Sequence, residues 1–182
     1  MKGLIIIDML NDFVTGVIAN EEKVMKIIPV IQRTLEYVRN RPDWLIVYSN
    51  DAHHVGDREI DIWGKHALEG TWGAEVVEAL APIGLEREII SPKRFYSAFD
   101  GTDLEEIFDK YGVTEVVLTG QHTHCCVRHT AYSAFIRGYD IKILSDAVCA
   151  FSGVDEEAAL DYLKTIYDAE IITSTVLGVP SE

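Results

Sequence analysis

EVVLTGQHTHCCVR, residues 115 to 128, is the stretch on which the reading of this chain turns. Its first part, EVVLTG (115 to 120), is a short apolar run rich in valine, the composition of a buried strand. Its second part opens a helical pattern over about 125 to 138. Strand giving way to helix through one loop is the building unit of a parallel sheet. The loop also carries chemistry, because GQHTHCCVRHT (120 to 130) holds two adjacent cysteines and three histidines of a chain that has only three Cys and six His. It could be a metal site or the setting of one reactive thiol.

Working outward, the same alternation recurs. GLIII (3 to 7), WLIVYS (44 to 49), REII (87 to 90), DIKIL (140 to 144) and EIIT (170 to 173) read as further strands. Helical periodicity fills roughly 21 to 40, 73 to 81, 102 to 111 and 155 to 167. Thr102 with Glu105 predicts a capping box, Gly112 marks the end of that helix, and Pro29 predicts a kink or a later start in the first. The fold class that follows is α/β: a three-layer α/β/α arrangement with a mostly parallel six-stranded sheet and helices on both faces, Rossmann-like. No repeat or linker interrupts residues 1 to 182, so a single domain is expected.

Composition narrows the partners. A chain of 182 residues buries about 70% of its unfolded surface and needs no disulfide or metal to hold a core. Its formal net charge of -14, from 16 basic against 30 acidic residues, argues against nucleic acid and anionic membranes. No apolar run approaches the ~20 residues of a membrane span, and no signal peptide is evident, which predicts a cytoplasmic protein with reduced thiols. A small molecule is the expected partner.

In open parallel sheets, ligands sit beyond the carboxyl ends of the strands. Asp8 follows the first strand, Asp51 and His53 the second, Lys93 the third and the cysteine loop the fourth. Cys126, at the start of a helix, faces free N–H groups and the positive end of the helix dipole, so its thiol pKa is predicted to fall. Lys93 would lower it further, and Asp8 could move protons. Cys125 is read as a neighbour and Cys149 as a core residue. A zinc site built from His122, His124, Cys125, Cys126 and His129 ranks below the nucleophile, because adjacent cysteines chelate one ion poorly. Asp51, His53 and His66 could hold an ion, with loop polarity as the competing reading.

Taken together, IIIDMLNDF (5 to 13), NDAHH (50 to 54), WGKHALEGTWGAE (63 to 75), PKRFYSAFDGTDL (92 to 104) and TGQHTHCCVR (119 to 128) resemble the isochorismatase-like cysteine hydrolases. The similarity is greatest to nicotinamidases and N-carbamoylsarcosine amidase-related proteins. The resemblance implies the fold of that family and a catalytic triad at Asp8, Lys93 and Cys126. It also implies a divalent metal, usually zinc, at Asp51, His53 and His66, and a cis peptide between Gln121 and His122. The oxyanion hole would be formed by the backbone N–H groups of His122 and Cys126. Phe13, Trp63 and Tyr96 would enclose the substrate, with Gln121 and His122 shaping the pocket. The activity implied is hydrolysis of a small amide or ureido compound with release of ammonia, N-carbamoylsarcosine amidase-like, with nicotinamidase or pyrazinamidase as the alternative. Isochorismatase-type hydrolysis and a non-catalytic role stay behind these. The family also implies a homo-oligomer. Gln121, His122 and His124 depart from the small or apolar residues and the acid usual in nicotinamidase loops.

Overall fold

A computed structural model describes residues 1 to 181; Glu182, the last residue of the expected domain, lies outside the described residues. The strands are β1 (Lys2–Ile7), β2 (Trp44–Asp51), β3 (Glu88–Lys93), β4 (Glu115–Gln121), β5 (Asp140–Cys149) and β6 (Glu170–Ile172). The helices are α1 (Asn11–Val14), α2 (Glu21–Arg39), α3 (Arg58–Trp63), α4 (Leu104–Tyr111), α5 (Arg128–Ile136), α6 (Glu156–Tyr167) and α7 (Ser174–Leu177). All six predicted strands form one sheet in the order β3-β2-β1-β4-β5-β6, with every pair parallel.

The inner strands β1, β2 and β4 are largely apolar and buried nearly throughout because both of their faces are covered. Successive side chains on a strand point to opposite sides. Ile5 and Ile7 accordingly pack with Leu104 and Phe108 of α4, Ala131 and Ala134 of α5 and Leu163 of α6. Leu4 and Ile6 pack on the other side with Val24, Ile31, Leu35 and Val38 of α2. That burial outweighs the ~3 kcal/mol disadvantage of a proline inside a helix. α2 therefore runs unbroken over Glu21–Arg39 with Pro29 within it, where a kink or later start was expected.

Three local expectations are corrected. Residues 73 to 81 form two 3-10 turns, Trp72–Ala74 and Glu78–Leu80, in place of an α-helix. Their backbone is engaged elsewhere, since Asn11 N–H donates to the Glu75 carbonyl and Val77 N–H to that of Met9. The capping box does not form: Thr102 Oγ1 donates to the Ala98 carbonyl at 2.7 Å, and Glu105 pairs with Arg137. The helix expected from 125 begins instead as a π turn, Thr123–Val127, in which Val127 N–H reaches back to the His122 carbonyl, and becomes α5 at Arg128. Among the described residues no helix is long and apolar enough to cross a membrane.

The sheet order places a switch point between β1 and β4, where chain connections leave in opposite directions. One glycine makes this seam tight. Gly120 has φ +98°, and a Cβ there would lie 2.1 Å from the Ile7 carbonyl oxygen. Only glycine tolerates both conditions, so the loop that follows β4 is held directly against the end of β1.

Candidate active site

The ends of β1, β2, β3 and β4 deliver Asp8, Asp51, Lys93 and the π turn to one buried cluster. Lys93 is only 1% exposed. Its Nζ lies 2.9 Å from Asp8 Oδ2, donates to Asp51 Oδ1, and sits 3.9 Å from Cys126 Sγ. The other Asp8 oxygen accepts from the Asp51 backbone N–H at 2.8 Å. Asp8 itself has φ +51°. Register explains the pairing, since Asp51 and Lys93 are direct partners at the ends of β2 and β3.

Charge in this dry setting is distributed unevenly. Burial opposes the ammonium of Lys93, but Asp51 and Asp8 more than offset it and hold its pKa well above the usual lysine range. Burial and the neighbouring Asp51 raise the Asp8 pKa to about 6. Asp51 is also penalised by burial, yet Lys93 and His53 bring it below the ordinary carboxylate value. Cys126 runs against expectation. A hydrogen bond with Cys125 and then burial push its thiol well above the normal cysteine range, with Lys93 only partly opposing them. At rest Cys126 is therefore held as the thiol, with Cys125, read from sequence as a mere neighbour, the largest contributor to that shift. Cys149 is the core residue expected, with burial raising its pKa to about 12.

Beside this cluster lies a second. Asp51, His53, Glu59 and His66 are all buried and each offers a ligand atom within 4.8 Å of the others. His53 Nε2 is 3.5 Å from Asp51 and 3.7 Å from Glu59, and neither ring nitrogen of His53 has a hydrogen-bond partner. His66 Nδ1 contacts the Gly64 carbonyl at 2.7 Å. That bond fixes the tautomer with the Nε2 lone pair free, as a metal-binding imidazole requires. Two imidazoles and two carboxylates form a donor set suited to zinc. Glu59 was missed from sequence. Burial and Asp51 raise its pKa to about 7, which marks it as a buried acid beside another acid. The rival site in the cysteine loop does not assemble: His129 is bonded to the Cys125 carbonyl, and the ion-binding groups among the described residues do not include the loop histidines.

Between the clusters is a cavity of about 20 Å³, room for roughly one water. Phe13, Trp63, Tyr96, His122, Cys125, Cys126, Asp51, Glu59, His66, Ile18 and Phe151 line it. Trp63 Nε1 donates to Tyr96 Oη at 3.2 Å, and its ring stacks on Phe151 at 5.5 Å. His122 stacks face to face on Phe151 with centroids 3.7 Å apart. Burial and the nearby His124 depress the His122 pKa to about 3, so its ring is neutral. Gln121, expected in the pocket, lies beneath it instead, with Nε2 donating to the Asp8 carbonyl at 3.1 Å. Phe151 had no motif to reveal it, because it joins the site from the β5–α6 connection. The Gln121–His122 peptide bond is cis.

Comparison with known proteins agrees with this geometry. The family model "Isochorismatase domain" matches residues 2–176. The crystal structure of N-carbamoylsarcosine amidase from Thermoplasma acidophilum is 35% identical, with a TM-score of 0.87 over 95% of this chain and 96% of that one. Pyrazinamidase of Pyrococcus horikoshii, solved in complex with zinc, is 34% identical, with a TM-score of 0.83 over 94% and 98% of the two chains. Nicotinamidase of Schizosaccharomyces pombe is 31% identical over 93% of this chain and 90% of its own. With amide hydrolases among its relatives and the strand-end cluster in place, the chain belongs to the isochorismatase family.

Proposed function

We propose that this protein is a cysteine amidohydrolase that cleaves the C–N bond of a small amide or ureido compound and releases ammonia. The observation that carries the reading is the contact of Lys93 with Asp8, Asp51 and Cys126 in a buried cluster at the sheet switch point. In the mechanism, substrate binding brings a carbonyl carbon to Cys126 Sγ. The thiol proton passes to Asp8, whose raised pKa suits it to accept and return a proton near neutrality. The sulfur attacks, and the oxyanion is received by the backbone N–H groups of His122 and Cys126. Each such donor contributes about 10²- to 10³-fold in comparable sites. Asp8 returns the proton to the departing amine, leaving a thioester, and then draws a proton from the attacking water; as the C–S bond breaks, Asp8 passes that proton to the Cys126 sulfur and restores the thiol. Lys93 keeps its charge throughout and stabilises each anionic state beside it.

Asp51, His53, Glu59 and His66 would hold a divalent ion, with zinc favoured by their N and O donors and by the zinc-bound pyrazinamidase. Such an ion supplies Lewis acidity and an activated water.

The cavity wall contains no Lys or Arg, while it includes Asp51 and Glu59, and His122 is neutral. An uncharged carboxamide, the substrate type of a nicotinamidase or pyrazinamidase, suits that lining. The second reading, a ureido acid as in N-carbamoylsarcosine, is favoured by the 35% identity to the Thermoplasma acidophilum amidase. In either case the reading takes residues 1 to 182 as one domain, acting as a cytoplasmic homo-oligomer on a small molecule, in keeping with the net charge of -14. An ammonia-release screen over nicotinamide, pyrazinamide and N-carbamoylsarcosine tests it. Activity on one of these, lost by at least about 10³-fold in Cys126→Ala, is expected. Near-wild-type release by that variant would refute the covalent mechanism.

A further inference from the structure

The nucleophile turn has a fastening outside the cluster described so far. Thr123, the first residue of the π turn, is fully buried, and its hydroxyl donates to Glu156 Oε1. Glu156 is the first residue of α6, and its Oε2 accepts the backbone N–H of Ala150 at 2.5 Å. One carboxylate therefore spans two segments. The first leads within three residues to Cys126. The second leads directly to Phe151, which stacks on both His122 and Trp63.

Other bonds hold the same connection without touching the turn. Asn20 Nδ2 donates to the Ala150 carbonyl at 3.1 Å and Lys23 Nζ to that of Phe151 at 3.0 Å. They anchor the aromatic wall on the start of α2. Among these side chains Glu156 alone ties wall to nucleophile turn. α6 needs no help from it as a cap, because Asp155 fills that role by accepting from the Ala158 N–H at 3.1 Å.

We infer that Glu156 is a positioning residue for the proposed amidohydrolase reaction, acting through the Thr123 hydroxyl to set where Cys126 stands relative to Lys93 and the cavity wall. Thiol and Lys93 are already at 3.9 Å, the outer limit of contact, so a small shift of the turn separates them. A displacement of about 1 Å at a reacting group typically lowers rate by about 10²-fold. Glutamine retains the span and can meet both partners, because its oxygen accepts from Ala150 while its amide donates to the threonine oxygen. Aspartate is too short to reach both.

The test rests on that functional reading for turnover, and on chemistry independent of it for the thiol. Glu156→Ala, Glu156→Asp, Glu156→Gln, Thr123→Val and the double variant Thr123→Val/Glu156→Ala are compared in the full chain. Turnover is followed on the amide identified by the ammonia screen. Alkylation of Cys126 by iodoacetamide at pH 8.5 is followed in parallel, with fragment mass spectrometry separating it from Cys125. The expected result is a fall of about 10- to 100-fold in kcat with KM within about threefold for the Ala, Asp and Val variants. Their Cys126 alkylation should slow by a similar factor, with both properties restored in Glu156→Gln. The double variant should be no worse than the poorer single, since both remove one link. Folded Thr123→Val and Glu156→Ala proteins with wild-type kcat and alkylation, altered only in thermal midpoint, would overturn the inference. So would additive losses in the double variant. Should Glu156→Ala fail to fold, Thr123→Val leaves the Ala150 bond intact and decides alone. If the screen yields no Cys126-dependent turnover, the functional reading fails while the alkylation series still judges Glu156.

Discussion

Replacing Lys93 by methionine removes the charge on which the centre is balanced. The two side chains are close in length, so the steric change is small. The electrostatic change is large. At an effective dielectric near 20, two unit charges at the 2.9 Å between Lys93 Nζ and Asp8 Oδ2 attract by about 6 kcal/mol. Methionine also removes the desolvation penalty of the ammonium, which offsets part of that loss; deleting one partner of a buried pair still generally costs about 3–5 kcal/mol because the charge left behind is uncompensated. The abandoned carboxylates have one escape, which is to bind protons. For a carboxyl that ionises near 3.9 when unfolded, staying protonated in the folded chain costs about 5 kcal/mol at pH 7.5 but only about 1.5 kcal/mol at pH 5. Folded-state carboxyl pKa values in the variant lie above their unfolded values, so its stability is lost as pH rises through that window. The high Lys93 pKa of the wild type keeps its own contribution constant there. Wild-type Asp8, at about 6, loses part of its stability over the same range, which narrows the gap without reversing it. Urea unfolding in chelating buffer, followed by tryptophan fluorescence, should therefore place Lys93→Met about 3–5 kcal/mol below wild type at pH 7.5, with the gap smaller by about 2 kcal/mol or more at pH 5. A gap under about 1 kcal/mol at pH 7.5, or one that does not change with pH, would refute the charge balance described here.

Other consequences are open to measurement. Activity should rise with pH on an acid limb centred near 6 as Asp8 loses its proton, and Asp8→Asn should be inactive; a flat kcat/KM profile from pH 5 to 8 would remove Asp8 as the base. Zinc affinity, read by competition with a chromophoric chelator and without any substrate, should fall in His66→Ala by more than the about 10- to 100-fold typical of losing an outer hydrogen-bond partner. Unchanged affinity would reduce that cluster to buried polar residues. Neutral iodoacetamide should alkylate Cys126 at least about tenfold faster than anionic iodoacetate, the equivalent of about 1.4 kcal/mol of discrimination. Equal rates would favour the ureido acid over the uncharged amide.

Much of this was legible in the chain because parallel strands covered on both faces must be apolar along their whole length. Runs such as GLIII and EVVLTG therefore announce themselves, and polar residues just beyond them mark the ligand edge. That reasoning located Asp8, Asp51, Lys93 and Cys126. Features that depend on partners distant in sequence were harder to see. Glu59 is a buried acid only because α3 folds over Asp51 and His53, and nothing in REIDIW sets it apart from a surface helix. Residues 73 to 81 look helical by period, but their backbone groups are taken by Met9 and Asn11. The thiol pKa runs opposite to what the helix start and Lys93 imply, because the Cys125 hydrogen bond and full burial, neither visible from the motif, outweigh them.

The roughly one-water cavity beside Cys126 has a kinetic meaning. Trp63, Phe151 and Phe13 crowd that small space, so for the proposed amide to reach Cys126, binding would draw on a conformation in which this aromatic wall has parted. Apparent affinity is then the intrinsic affinity scaled by the population of that conformation: at 1% open, binding weakens by about 100-fold. Half-exposed Trp63, held by its hydrogen bond to Tyr96 and its stacking on Phe151, is the side chain whose loosening would raise that population. The same contacts that close the wall over Cys126 thus set how often the proposed site is ready to receive a substrate.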